Sequence, residues 1–141
     1  MNTKAYKNIA ASRSLYLVDA ENAVGASEIE QFQVHAMKKR VFELVKPGAM
    51  DQFYVTSSHH NQQATMFGWP EGEHKFKSGK DGADILLASR ILDGNLAEKF
   101  GHIIIASGDG GLVPFAEHLM KQGVKVTFIC QMRSCSHLVR E

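Results

Sequence analysis

His102-Ile103-Ile104-Ile105-Ala106-Ser107-Gly108-Asp109 is an aliphatic run that turns polar and stops at an aspartate, and Ser14-Leu15-Tyr16-Leu17-Val18-Asp19 ends the same way. A short continuous apolar run bounded by polar residues and glycine reads as a strand buried on both faces. Sheets built of such strands bind ligands beyond the carboxyl ends of the strands. If the two strands are neighbours, their terminal carboxylates converge. Carboxylates about 4 Å apart repel by roughly 4 kcal/mol at an effective dielectric near 20, so a converging pair holds a proton or a divalent cation. The two aspartates therefore point to a metal site.

The sequence around these runs alternates strand and helix signals. Residues 14–19 read as the first strand, followed by a loop over Ala20–Ala26 and a helix-capping Ser27. From Ile29 to Val45 the apolar positions recur at three- and four-residue intervals until Pro47-Gly48 stops them. The interleaved Lys38, Lys39 and Arg40 read most simply as the solvated face of that helix, with a nucleic-acid contact as the alternative. Asp51–Ser57 carries Phe53-Tyr54-Val55-Thr56 and reads as a second strand. Ser58–Gly79 is a long excursion containing Met66, Phe67, Trp69 and Phe76, with room for a short strand or hairpin. Gly82–Leu92 reads as a helix ended by Asp93-Gly94-Asn95. Residues 102–107 are the third strand, Leu112–Gln122 a helix ended by Gly123, and Val124–Ile129 the last strand. This alternation implies β–α–β units with right-handed crossovers, hence an α/β fold with a doubly wound, mainly parallel sheet.

At 141 residues, 44% hydrophobic and 22% charged, the chain has the size and composition of one globular domain. No apolar stretch approaches the roughly 20 residues that cross a bilayer. Met1-Asn2-Thr3-Lys4-Ala5-Tyr6-Lys7 is not followed by the apolar core of a secretory signal, so a cytoplasmic location is the expectation. The two cysteines, Cys130 and Cys135, read as free thiols rather than a structural disulfide. His59, His60, His74, His102, His118 and His137 do not pair with them at zinc-ligand spacing. The net charge of +1 hides a local concentration of cations in His74-Lys75-Phe76-Lys77-Ser78-Gly79-Lys80, a candidate phosphate contact.

Two more polar residues fall at the same sheet edge. Asn22 lies three residues past Asp19, and Asp84 opens the helix of residues 82–92. An acid in a first turn projects from the end of the helix and can face the strand tips, although it also simply complements the helix dipole. The glycine-rich Ser107-Gly108-Asp109-Gly110-Gly111 turn has a rival reading as a nucleotide-phosphate cradle. It matches neither Gly-x-Gly-x-x-Gly nor the loop ending in Gly-Lys-Ser/Thr.

Leu15-Tyr16-Leu17-Val18-Asp19-Ala20-Glu21-Asn22, Lys80-Asp81-Gly82-Ala83-Asp84-Ile85-Leu86-Leu87-Ala88 and Ile105-Ala106-Ser107-Gly108-Asp109-Gly110-Gly111-Leu112-Val113-Pro114 resemble, in order and spacing, three signature blocks of the NYN family of PIN-like ribonucleases. The resemblance runs from about residue 14 to 138 within a single domain spanning 1–141. It implies a Rossmann-like, PIN-like three-layer sandwich and a divalent-metal-dependent endoribonuclease that hydrolyses single-stranded RNA. By position, Asp19, Asp84 and Asp109 would bind Mg²⁺ or Mn²⁺, with Asn22 a polar member of the catalytic cluster and Ser107 in its RNA-facing motif. The family pattern commonly reads Ser-Gly-Asp-x-Asp-Phe, whereas this chain has Gly111-Leu112 at the second acid and aromatic. Glu21 and Asp81 are the two nearby acids available to supply the missing charge.

RNA binding also needs cations and stacking surfaces near the site. Lys75, Lys77 and Lys80 lead into the Asp84 helix, and Phe67, Trp69 and Phe76 share the same excursion, where Trp69 reads more readily as core. His59-His60 would serve a metal-free acid–base mechanism poorly, because adjacent residues diverge. Two alternatives stand beside the nuclease: a catalytically weak or inactive relative that grips RNA, and a receiver-like signalling domain. A homodimer remains open among the partners.

Overall fold

In a computed structural model, residues 10–130 are described. The Met1–Lys7 segment, Cys135, His137 and the resemblance beyond residue 130 lie outside the described residues. Among the described residues, five strands, β1 (Ser14–Asp19), β2 (Gln52–Ser57), β3 (Glu73–Phe76), β4 (His102–Ala106) and β5 (Lys125–Ile129), form one sheet in the order β3-β2-β1-β4-β5. Every pairing is parallel. The receiver-like alternative is corrected here, because that topology orders its strands 2-1-3-4-5. In this sheet the order reverses between β1 and β4, and both run to their aspartates at that switch point.

The helices that flank these strands among the described residues include α1 (Ala20–Val24), α2 (Gln31–Leu44), α3 (Gln62–Gly68), α4 (Gly82–Asp93), α5 (Leu96–Lys99) and α6 (Val113–Lys121). Strand alternation divides the core in two. Leu15, Leu17, Ile103 and Ile105 pack with Leu87 and Ile91 of α4, Leu96 of α5 and Leu119 of α6. Tyr16, Val18, Ile104 and Ala106 pack with Val34, Met37 and Val41 of α2 and with Trp69. The central strands are thus apolar at successive positions because both of their faces are covered.

Four local expectations change. The stretch after β1 is helical from Ala20, because the Asp19 side chain caps it by accepting from the Asn22 N–H. Glu30, in a capping box with Gln33, starts α2 in place of Ser27. The Ser58–Gly79 excursion holds the α3 helix as well as the anticipated short strand, and Trp69, with no exposed surface, closes the core beside Phe42 and Phe53. Cys130, just past β5, is disulfide-bonded, against the expectation of a free thiol.

Candidate functional site

The register carries Asp19 to its position. Asp19 lies opposite Thr56, and Thr56 lies opposite Lys75, so one row crosses β1, β2 and β3 at their carboxyl ends. Paired residues of a parallel sheet share a face, and strands lie about 4.8 Å apart. Lys75 therefore stands roughly 10 Å from Asp19 along the backbone row, on the face that carries α4. Asp19 is buried, at 8% exposure. Its carboxyl is pushed up to about 6, first by burial and then by the charges of Glu21 and Asp109, against hydrogen bonds from the Asn22 and Glu21 backbone.

Asp109 follows β4 and caps a short 3₁₀ turn, Gly110–Leu112, by accepting from the Gly111 N–H at 2.8 Å. Its own N–H donates to the Ser107 hydroxyl at 3.3 Å, and Ser107 is fully buried. Ser107 thus shapes the turn from beneath. Asn22 ties the same turn to β1, because its side-chain carbonyl accepts from the Gly108 N–H at 2.7 Å.

Asp84 reaches the cluster from the head of α4. That head sits close to the end of β3, where a Cβ at Gly82 would collide with the Lys77 carbonyl oxygen. Only glycine lets the two backbones approach this way. The Asp84 and Asp109 carboxyls share a hydrogen bond. Burial, that bond and the charges of Asp109, Asp19 and Asp81 push Asp84 up to about 8. The interaction with Asp84 in turn holds Asp109 below the usual carboxylate range.

Asp81, Asp84 and Asp109 each offer an oxygen, and these oxygens lie within 4.8 Å of one another. Asp19 is coupled to this group electrostatically, one step deeper, and stands outside that triplet. The structure therefore brings together Asp84 and Asp109 as expected, holds Asp19 and Asn22 at the adjoining strand end, and adds Asp81. Its sequence signal was an acid directly before the helix-opening glycine. Glu21 is engaged elsewhere: its carboxylate accepts from the Ser58 N–H at 2.9 Å and the Asn61 side chain at 2.5 Å. Lys75, Lys77 and Lys80 are exposed along β3 and the turn into α4. His59 and His60 are tied to Ser78 and to the Ser27 carbonyl, at 2.8 and 2.9 Å, and hold loops rather than the acidic cluster.

Hard carboxylate oxygens are the donor type that Mg²⁺ and Mn²⁺ take. An ion with ligands at about 2.1 Å spans about 4.2 Å across itself, so three oxygens within 4.8 Å need only small side-chain rotations to reach one ion. The donor set fits such an ion. A family model described as the NYN domain matches residues 8–140. No curated protein and no solved structure matches the chain.

Proposed function

The chain belongs to the NYN domain family of PIN-like nucleases, and from that premise we propose that it is a divalent-metal-dependent endoribonuclease acting on single-stranded RNA at the Asp19/Asp84/Asp109 edge. The observation that carries this reading is the acidic group at the β1/β4 switch point, with three carboxylate oxygens within 4.8 Å and Asp19 buried beside them. Unpaired, these charges oppose folding, and a cation among the Asp81, Asp84 and Asp109 oxygens would relieve them.

When bound, Mg²⁺ or Mn²⁺ supplies a water of lowered pKa and neutralises charge on the leaving oxygen. Asp84 and Asp109 would hold that ion, and Asp19 fixes the charge of the inner wall. Asn22 acts at one remove, holding the Gly108 N–H and through it the direction of Asp109. Lys75, in register with Thr56 and Asp19, and the exposed Lys77 and Lys80 would take backbone phosphates on the α4 side. Phe67, 60% exposed on α3, remains available for base stacking, whereas Trp69 is buried.

The absence of a carboxylate at Gly111 favours one rival, an RNA-gripping relative without cleavage. Incubation of the protein with end-labelled single-stranded RNA in Mn²⁺, in Mg²⁺ and in chelator separates the two. Internal cleavage that chelator abolishes supports the nuclease. Salt-sensitive binding that persists in chelator, with the RNA intact, supports the rival.

A further inference from the structure

Glu21 and Asp81 both lie near enough in sequence to the signature blocks to offset the glycine at 111, and the structure separates them. The Glu21 carboxylate is committed to the Ser58 N–H and the Asn61 amide, which tie α1 to the end of β2. The Asp81 carboxylate makes no capping hydrogen bond to α4, although Asp81 occupies the capping position. It is exposed, and its oxygen lies within 4.8 Å of the Asp84 and Asp109 oxygens. The Asp81 backbone is left-handed, with φ of 62°, a conformation that aspartate and asparagine tolerate better than most residues.

We propose that Asp81 is the third metal ligand of this chain, joining Asp84 and Asp109, so that the ion is held between the head of α4 and the turn after β4 and the carboxylate missing at Gly111 is replaced from across the site. This assignment rests on reading the acidic edge as a metal centre. It follows from charge as well as distance. A third carboxylate oxygen within 4.8 Å of two others adds to the repulsion of the cluster, and a divalent cation turns that cost into attraction. Ligand charge count is the main lever on divalent affinity at oxygen sites.

The test is Mn²⁺ binding by calorimetry, with the thermal midpoint measured with and without Mn²⁺, on the whole chain. Asp81→Asn keeps a side chain that accepts the left-handed backbone, so the metal-free midpoint should not fall. Its Mn²⁺ affinity should drop about tenfold or more, and the Mn²⁺-induced rise in midpoint should shrink with it. Asp93→Asn, at the far exposed end of α4, serves as the control and should bind as the wild type does. Unchanged affinity in Asp81→Asn together with weakened affinity in Asp109→Asn would overturn the assignment of Asp81 and leave the proposed metal centre standing. A wild-type chain that binds no Mn²⁺ would overturn both.

Discussion

The Gly108 N–H donates a hydrogen bond of 2.7 Å to Asn22 Oδ1, joining the helix after β1 to the turn after β4, 86 residues apart. Asp19 caps that same helix, and Asp109 caps the 3₁₀ turn one residue past Gly108. One amide thus sets the relative placement of the two strand-terminal acids.

Asn22→Ala removes the acceptor and leaves the part-buried Gly108 N–H unpaired, which costs about 1–3 kcal/mol and frees the turn that aims Asp109. RNA cleavage should fall at least tenfold with a small loss in thermal midpoint. Asn22→Asp keeps an acceptor at that position. It should restore the thermal midpoint, read by calorimetry, while adding a further carboxylate charge near the site and so increasing the dependence of folding on divalent ion.

The acidic edge makes stability depend on pH in a defined sense. Asp84, pushed up to about 8 from its ordinary 3.8, binds its proton more tightly in the folded chain than in the unfolded one. Its contribution is therefore complete below the ordinary value and is lost as pH rises toward 8. Asp19 acts in the same direction between 3.8 and about 6. Asp109, held low by the Asp84 hydrogen bond, acts oppositely and only at the acid end. The thermal midpoint of metal-free protein should fall as pH is raised across the range bounded by these values. Saturating Mg²⁺ or Mn²⁺ should flatten that fall, and so should Asp84→Asn.

Lys75 shares its sheet row with Asp19, and Lys80 precedes the Asp81 turn. A Lys75→Ala/Lys80→Ala double variant should weaken single-stranded RNA binding without changing Mn²⁺ affinity. The slope of log affinity against log salt should become shallower by about 0.7 for each phosphate that the variant no longer neutralises. An unchanged slope would remove both lysines from the RNA path.

Trp69 and Phe67 lie two residues apart and have opposite fates. The Trp69 ring is enclosed, with Phe42 edge-on at 5.5 Å and Phe53 at 5.8 Å. Trp69→Ala should cost about 3–5 kcal/mol of stability. Phe67→Ala should leave stability within about 0.5 kcal/mol while lowering RNA affinity, as denaturation and binding titrations would read separately.

Those two aromatics also show where sequence reasoning reaches its limit. The strands 14–19 and 102–106 were legible because burial on both faces leaves a continuous apolar run, and the order of their aspartates then located the site. The α2 and α4 helices carried their own periodicity. Gln62–Gly68 does not, because its large apolar residues, Met66 and Phe67, face outward while its buried positions, Thr65 and Gly68, are small, so its pattern reads as loop. Ala20–Val24 escaped for a related reason: five residues give no stripe, and the cap was the very aspartate assigned to chemistry. Asp81 could be named as a spare charge, but only the left-handed turn ahead of α4 brings it to Asp84 and Asp109.

The rate of single-stranded RNA cleavage in Mn²⁺, compared between the wild-type chain and Asp109→Asn at equal folded concentration, tests the central claim most directly. Asp109 is held by Gly111 and paired with Asp84, so its loss should remove cleavage by a factor of about 100 or more, on the order of what charged active-site groups contribute. Equal rates in the two proteins, or no cleavage by the wild type, would contradict the account.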